Sequence, residues 1–189
     1  MSFLLSQTQS GFPITSKVTM HDGSYKKIKD LVIGDRLKSV KISNLILNNN
    51  YYSANFDLDN LETTETVVTN IIIGSAFNLN YINEKLRVAG NICLLSNLDS
   101  EESVYNGEED PGYTNYNWGC IDHGLLKNRN KKFEYLLKDS MEKERIISVL
   151  EKNKTTRVAI IQTQPESVYF VNGFAVLDRF TPIKISEGK

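Results

Sequence analysis

The sequence predicts a mostly β fold of many short antiparallel strands, with one long loop insertion and at most one or two short helices. Alternation of apolar and polar residues recurs toward both ends of the chain, as in half-buried strands. Two turn pairs, Asp22-Gly23 and Asn172-Gly173, directly follow β-favouring runs. No repeat or heptad pattern is present. Together these features favour strands joined by tight turns over a helical fold.

The N-terminal part of the chain predicts three short strands. Residues 16–21 alternate and end at the Asp22-Gly23 pair, which predicts a strand followed by a hairpin turn. Residues 25–33 and 36–42 also alternate, which predicts two further strands joined at Gly34-Asp35.

The middle of the chain combines strand-like runs with a long irregular stretch. Valine, isoleucine and threonine are concentrated in 65–73 and 81–88, which predicts two strands separated by an Asn-rich segment. Cys93 to Leu95 extends the second as a buried run. From 98 to 119 acidic residues and then Pro111-Gly112 replace the alternation, which predicts a long loop or insertion.

The C-terminal third predicts one helix and a closing hairpin. Residues 131–152 carry apolar side chains near helical spacing and predict a short helix, with a strand at 146–150 as the alternative. Residues 155–163 alternate as in a strand, and 167–171 and 174–177 flank the Asn172-Gly173 turn. The apolar residues that suggest the helix are Phe133, Leu136, Leu137, Met141 and Ile147.

Length and composition bound the function. A chain of 189 residues fits one compact domain, and a formal net charge of -1 predicts no direct nucleic-acid binding. No apolar run approaches the roughly 18 residues of a membrane span, and the N-terminus lacks the basic region of a signal peptide. Cys93 and Cys120 are expected to be buried, unlinked thiols in a reducing compartment, and no cofactor or metal is predicted.

Two segments at opposite ends of the chain and a middle block carry a family resemblance. Their sequences are GFPITSKVTMHDGS at 11–24 with IKDLVIGD at 28–35, INEKLRV at 82–88, and YFVNGFAVLD at 169–178. In type and spacing they resemble the hedgehog/intein (Hint) superfamily, which includes inteins, hedgehog autoprocessing domains and bacterial or phage relatives. The resemblance implies an N-terminal arm at 1–10, a Hint-like domain at 11–178 with an acidic and aromatic insertion at 98–119, and a tail at 179–189.

The resemblance also implies that the self-cleaving residues of the family are replaced. The Cys or Ser nucleophile of the family falls on Gly11, which has no side chain to attack a carbonyl. The Thr and His of the middle block fall on Ala89 and Ile92, neither of which can transfer a proton. The closing His-Asn pair falls on Leu177 and Asp178, of which only the aspartate keeps a reactive group.

Other side chains with chemical potential have simpler interpretations. A one-residue shift of the alignment would make Ser10 the nucleophile, but without the Thr and His it would lack an activating base. His21 and His123 are expected in surface loops, and the acidic loop is expected to be solvated rather than a calcium site. The aromatic and acidic residues of the insertion either bind a partner or cover the core at its base. These candidate contacts are Tyr113, Tyr116, Trp118, Glu108, Glu109 and Asp110.

We therefore expect a non-catalytic, Hint-like structural or protein-binding module and no enzyme. Because phages carry such domains in particle proteins, the most specific expectation is a virion component of the tail or baseplate. Its partners would be other structural proteins of a large assembly, in multiple copies. It would be found in the virion, assembled in the host cytoplasm, or in the cytoplasm if the protein is not viral. The alternatives are a self-processing domain with residual activity and a regulatory or toxin-associated bacterial domain. Candidate contact surfaces are 99–118, the Asn-rich segment 43–52 and the chain ends.

Overall fold

A computed structural model describes residues 10–41, 46–48, 51–54, 61–90, 92–98, 117–122 and 135–177. These residues form β-strands, one 3-10 turn at Ile28–Asp30 and no α-helix. The strands, in chain order, are β1 Phe12–Pro13, β2 Lys17–Thr19, β3 Tyr25–Lys27, β4 Arg36–Val40, β5 Ile46–Asn48, β6 Tyr51–Ala54, β7 Thr63–Ile82, β8 Leu86–Val88, β9 Cys93–Leu98, β10 Asn117–Asp122, β11 Tyr135–Leu137, β12 Lys143–Arg145, β13 Val149–Gln164, β14 Val168–Val171 and β15 Phe174–Leu177.

The first sheet is built on a ribbon of two long strands. Its order is β1-β13-β7-β4, and β8 pairs with the far end of β7. β7 and β13 are antiparallel along nearly their whole length, from the Val67 and Gln164 pair to the Ile82 and Val149 pair, with two register shifts. Such shifts are β-bulges, which bend the strands and increase their twist.

The second sheet places the closing hairpin at its centre. Its order is β3-β2-β14-β15-β9-β10-β6-β5, with β11 joining β9 to β12. All side chains of β14 and β15 are buried, because both faces of this hairpin are covered. The main core contains the Phe12 and Tyr169 rings in an edge-to-face contact, with 6.3 Å between centroids.

Both predicted hairpin turns are confirmed. After β2, the Met20 N–H donates to the Ser24 carbonyl at 2.8 Å, and Asp22 accepts hydrogen bonds from the amide and hydroxyl of Ser24. Between β14 and β15, Asn172 and Gly173 both have positive φ, at 49° and 86°. Asparagine and glycine tolerate this conformation better than other residues, which explains why they mark the turn.

The prediction of two separate strands at 65–73 and 81–88 is wrong. The first is part of a single 20-residue strand, β7, that runs through the Asn-rich segment to Ile82, and only 86–88 forms a separate strand. Asn78 pairs with Asn153 and Asn80 pairs with Glu151 on β13. The neighbouring strand therefore overrides the weak β-propensity of asparagine.

The helix predicted within 131–152 is wrong for the residues that the structure describes. From Tyr135 onward this stretch forms β11, a turn, β12 and the start of β13. Met141 has φ of +67°, which a helix does not permit, and Leu136 and Leu137 pack in two different clusters. The alternative of a strand near 146–150 is the better interpretation, since β13 starts at Val149.

The cysteine prediction is also wrong. Cys93 is disulfide-bonded, and Cys120 is the only other cysteine of the chain. The two residues lie on the paired strands β9 and β10, where Cys120 is opposite Leu95 and Cys93 is opposite Asp122. The expectation of a reducing compartment therefore loses its support from unlinked thiols.

The ends of the predicted insertion differ from the structure. Leu98 ends β9 and pairs with Asn117, where β10 begins, so residues 117–119 are strand rather than loop. Residues 99–116 lie outside the described residues.

Candidate functional site: the corner at Gly11, Ala89, Ile92 and Leu177

Gly11 and Ala89 form the centre of the corner. The Gly11 N–H donates to the Ala89 carbonyl and the Ala89 N–H donates to the Gly11 carbonyl, both at 2.9 Å. Gly11 has φ of +138°, and a Cβ built on it would lie 2.7 Å from the carbonyl carbon of Ala159. A side chain at position 11 therefore requires both a strained backbone and displacement of β13.

Ser10 lies on the other side of the same bridge. Gly90 has φ of +67°, and a Cβ built there would lie 2.8 Å from the Cα of Ser10. Ser10 is half-buried. The close approach of Ser10 to Gly90 depends on glycine, because any side chain at position 90 would displace this segment.

Ile92 and Leu177 complete the corner from the second sheet. Leu177 pairs with Cys93, the residue that follows Ile92, through the register of β15 and β9. Both side chains are buried: Ile92 packs in the main core, and Leu177 packs in a second cluster with Val40 and Phe170. The structure thus brings together the four positions that the resemblance singles out as two pairs: Gly11 pairs with Ala89, 78 residues away, and Leu177 pairs with the residue after Ile92. Asp178 lies outside the described residues.

The chemistry available to these four residues is limited by their side chains. An amide-to-ester shift requires a nucleophile, a proton-transfer group and donors for the developing oxyanion. Gly11, Ala89, Ile92 and Leu177 supply neither a nucleophile nor a titratable group. The buried side chains of Ala89, Ile92 and Leu177 instead contribute apolar packing.

His21 lies in a different depression of about 500 Å³, on the β2–β3 turn. Its Nε2 is 3.3 Å from Glu65 Oε1, and the Arg36 guanidinium contacts the same carboxylate at 3.4 Å. Lys26 and Asp35 form a second ion pair in this depression, at 2.9 Å. Since none of the corner residues lines it, His21 is placed apart from the corner, as expected of a surface-turn residue; His123 is outside the described residues.

Of the six candidate contact residues, only Trp118 lies in the part of the chain that the structure describes. Trp118 is in β10, opposite Ala54 and Asn97, whereas Tyr113, Tyr116, Glu108, Glu109 and Asp110 lie outside the described residues. Within the part of the chain that the structure describes, no group of three His, Cys, Asp or Glu side chains is arranged to hold a metal ion. Among the same residues, no helix is long and apolar enough to cross a membrane.

Asn83 forms a polar clamp that sequence analysis did not identify. It has φ of +53° in the turn after β7, and its side chain makes four hydrogen bonds to segment 144–148. Its Oδ1 accepts from the amides of Ile147 and Ser148, and its Nδ2 donates to Glu144 and to the Arg145 carbonyl. We call this group the Asn83 clamp; the Asn-Glu-Lys triplet indicates only a turn.

Glu144 is the charged partner in the Asn83 clamp. Burial raises the pKa of this carboxyl, but hydrogen bonds from Asn83 and Lys85 and the charges of Lys85 and Lys138 lower it below the ordinary value overall. The Lys85 Nζ is 2.9 Å from Glu144 Oε1 and the Lys138 Nζ is 3.6 Å away. The carboxylate is thus held ionised between two cations.

Asp139 joins two hairpins in a similar way. Its Oδ2 accepts from Thr19 Oγ1 at 2.9 Å and from the Tyr25 hydroxyl at 3.3 Å, and its N–H donates to the Gly173 carbonyl. The Asp139 charge is the main cause that raises the pKa of Tyr25 above its ordinary value. No local sequence signal indicates these contacts, because more than 110 residues separate Asp139 from its side-chain partners.

Comparisons with known proteins find a likeness in structure. No family model and no curated protein matches the sequence. A solution structure of a bacterial intein-like domain from Clostridium thermocellum is similar with a TM-score of 0.56 and 12% identity, covering 90% of this chain and 99% of that one. The DnaB intein from Synechocystis sp. PCC 6803 gives 0.55 and 12%, covering 89% and 98%, and the PabCDC21-1 intein gives 0.52 and 14%, covering 91% and 99%. The chain therefore has the mostly antiparallel β fold of inteins and intein-like domains, in agreement with the Hint-like fold expected from its sequence.

Proposed function

We propose that this protein is a non-catalytic, Hint-like module that binds other proteins. The observation that carries the non-catalytic part of the proposal is the space at Gly11, where even a Cβ would lie 2.7 Å from the Ala159 carbonyl carbon. A serine or cysteine nucleophile at this position would have to displace the backbone of β13. The apolar side chains at Ala89, Ile92 and Leu177 support the same conclusion, because they provide no base to activate a nucleophile.

Self-cleavage is tested by fusing a folded reporter protein to each end of the chain and measuring intact masses over several days. We expect the full-length fusion only. Fragments that end at Ser10 or Asp178 would overturn the non-catalytic role. Gly11→Ala and Gly23→Ala are the matched variants, because both replace a glycine with positive φ. At Gly11 the added Cβ would meet the Ala159 backbone, whereas at Gly23 it would meet nothing within 4 Å.

The second candidate function is residual self-processing with Ser10 as nucleophile. The specific observation in its favour is that Ser10 lies against Gly90, next to the Gly11–Ala89 bridge. Under this alternative, cleavage would be seen in the reporter fusion and would be lost in Ser10→Ala but not in Ser24→Ala, a serine of the exposed β2–β3 turn.

We further propose that the partners are structural proteins of a large assembly, with a phage tail or baseplate as the specific case. The support is analogy with phage-borne Hint domains and an Asn-, Ile- and Lys-rich composition. Quantitative mass spectrometry of purified particles from a phage that encodes the chain is the test. We expect the protein in a fixed ratio to tail proteins, and its absence from washed particles would exclude the virion role.

A further inference from the structure

Among the residues that the structure describes, one edge of β7 is covered only at its two ends. β13 runs along the other edge, whereas on this edge β4 pairs as far as Val67 and β8 pairs only with Asn80 to Ile82. Gly34 and Asp35 extend the first cover to Val68. Between these limits no strand of the described residues pairs with β7 on this side. We call residues 69–79 the open edge.

Backbone groups of the open edge point away from the ribbon. The Arg157 carbonyl accepts from the Ile14 N–H on the opposite side of β13, so the Arg157 and Ser75 pair is not a hydrogen-bonded pair of the β7–β13 ladder. In antiparallel ladders, hydrogen-bonded and non-hydrogen-bonded pairs alternate along the strand, so the Ala159 and Ile73 pair, two residues away, is also not hydrogen-bonded. The N–H and C=O groups of Ser75 and Ile73 therefore point outward, away from β13. Consistently, the Ile71 N–H donates to Asn70 Oδ1 rather than to β13.

The open edge lacks two of the usual protections of an edge strand. Natural edges are blunted by charged side chains, proline or β-bulges; residues 66–83 contain no charged residue and no proline, whereas register shifts lie at Thr69 and beside Phe77. Exposed and buried side chains alternate from Ile73 to Phe77: Gly74 and Ala76 are buried, whereas Phe77 is 62% and Ile73 46% exposed. Among the described residues, the edge therefore combines outward-facing backbone groups with two exposed apolar side chains, Ile73 and Phe77, on either side of Ser75.

We propose that the open edge binds an extended, uncharged segment of a partner protein, which adds a strand beside β7 and places apolar side chains against Ile73 and Phe77. β4 and β8 bound the gap, so it accepts a single short strand. A second copy is a poorer fit, because its own β4 and β8 occupy the ends of the same edge. An uncharged segment is favoured because β7 has no charged side chain from 66 to 83 to compensate for desolvating an ion; Arg157, opposite Ser75, lies one strand further away on β13. The inference rests on the proposed binding role and names its partner by chemistry.

The test uses a capped heptapeptide, Thr-Val-Thr-Val-Thr-Val-Thr, and amide hydrogen exchange measured by NMR on the full chain. At a peptide concentration that fills nine-tenths of the sites, exchange at Ile73 and Ser75 should slow about tenfold, because these amides exchange only from the free state. A peptide with proline in place of valine should give no slowing, since proline cannot donate to a ladder.

Variants locate the effect on the edge. Ile73→Lys and Phe77→Lys should weaken peptide binding at least about tenfold by placing charges on the edge. Ile147→Lys, at a site 72% exposed outside the edge, should bind as the wild-type chain does. Equal binding by all variants would overturn the site, as would absence of saturable peptide binding.

Two other occupants of the open edge would be detected as protection of its amides from exchange when no peptide is added. Protection of Ile73 and Ser75 that increases with protein concentration would assign the edge to a second copy and overturn the proposal. Protection independent of concentration would assign it to a segment of the same chain, with the same consequence. Cleavage in the reporter fusion would remove the non-catalytic role but leave the edge intact, so the two failures are distinguishable.

Discussion

The corner at Gly11 and the Asn83 clamp are built alike but differ in polarity. Each joins segments that are distant in sequence, and each depends on a residue with positive φ. In the corner, the four positions that the resemblance singles out hold no titratable group, whereas the clamp gathers an amide, a carboxylate and two ammonium groups. Polar interactions near the first sheet are therefore used to hold a turn. A cluster of titratable side chains in this chain therefore does not by itself mark a catalytic site.

The largest expected effect of substitution is at the clamp. Asn83→Ala removes four side-chain hydrogen bonds and strains a left-handed backbone, and should destabilise the protein by about 4 kcal/mol. Urea unfolding monitored by circular dichroism measures this change. Asn83→Gly loses the same bonds but keeps the backbone conformation, so it should cost about 1 kcal/mol less. Equal stability of Asn83→Ala and wild type would show that the clamp is not structural.

The next largest effect is at the corner. Gly11→Ala should destabilise the protein by about 3 kcal/mol, because the added methyl meets the Ala159 backbone and the residue has positive φ. Gly23→Ala has positive φ but open space, and should cost only about 1 kcal/mol. The same unfolding assay compares the two variants. If Gly11→Ala is no worse than Gly23→Ala, the corner has room for a side chain and the argument against a nucleophile fails.

A smaller effect is expected where Asp139 joins the hairpins. Asp139→Ala removes the acceptor for Thr19 and Tyr25 and should cost about 2 kcal/mol. Glu142→Ala, which removes only an exposed contact with Ser140, should change stability by less than about 0.5 kcal/mol. Thermal unfolding of both variants measures the difference, and indistinguishable midpoints would rule out a structural role for the Asp139 contacts.

The smallest effect is a pH dependence from Glu144. Its folded-state pKa lies below the ordinary value of 4.5, so its contribution to stability is present above pH 4.5 and is lost as pH falls through the folded-state pKa. The stability difference between wild type and Glu144→Gln should therefore shrink on acidification from pH 7. Chemical unfolding at a series of pH values tests this, and a difference that grows on acidification would give the wrong sign.

Local signals predicted the parts of the fold in which a few adjacent residues decide the conformation. Asp22-Gly23 and Asn172-Gly173 were recognisable because their turns need positive φ or a short polar side chain. The corner was partly predictable: the resemblance indicated which residues occupy it, but not that Ala159 closes the space beside Gly11. The Asn83 clamp was not predictable, since its partners are about 60 residues away and no pattern marks them.

Residue type and short-range backbone preference are enough to specify the β class of the chain, its tight turns and the absence of a side chain at Gly11. Tertiary structure decided that β7 continues through its asparagines, that 135–137 and 143–145 are strands rather than helix, and that Cys93 is in a disulfide. It also left one edge of β7 uncovered between β4 and β8 in the described residues. These outcomes depend on which distant strands become neighbours, and their pairing free energy exceeds the weak local preferences of the residues involved.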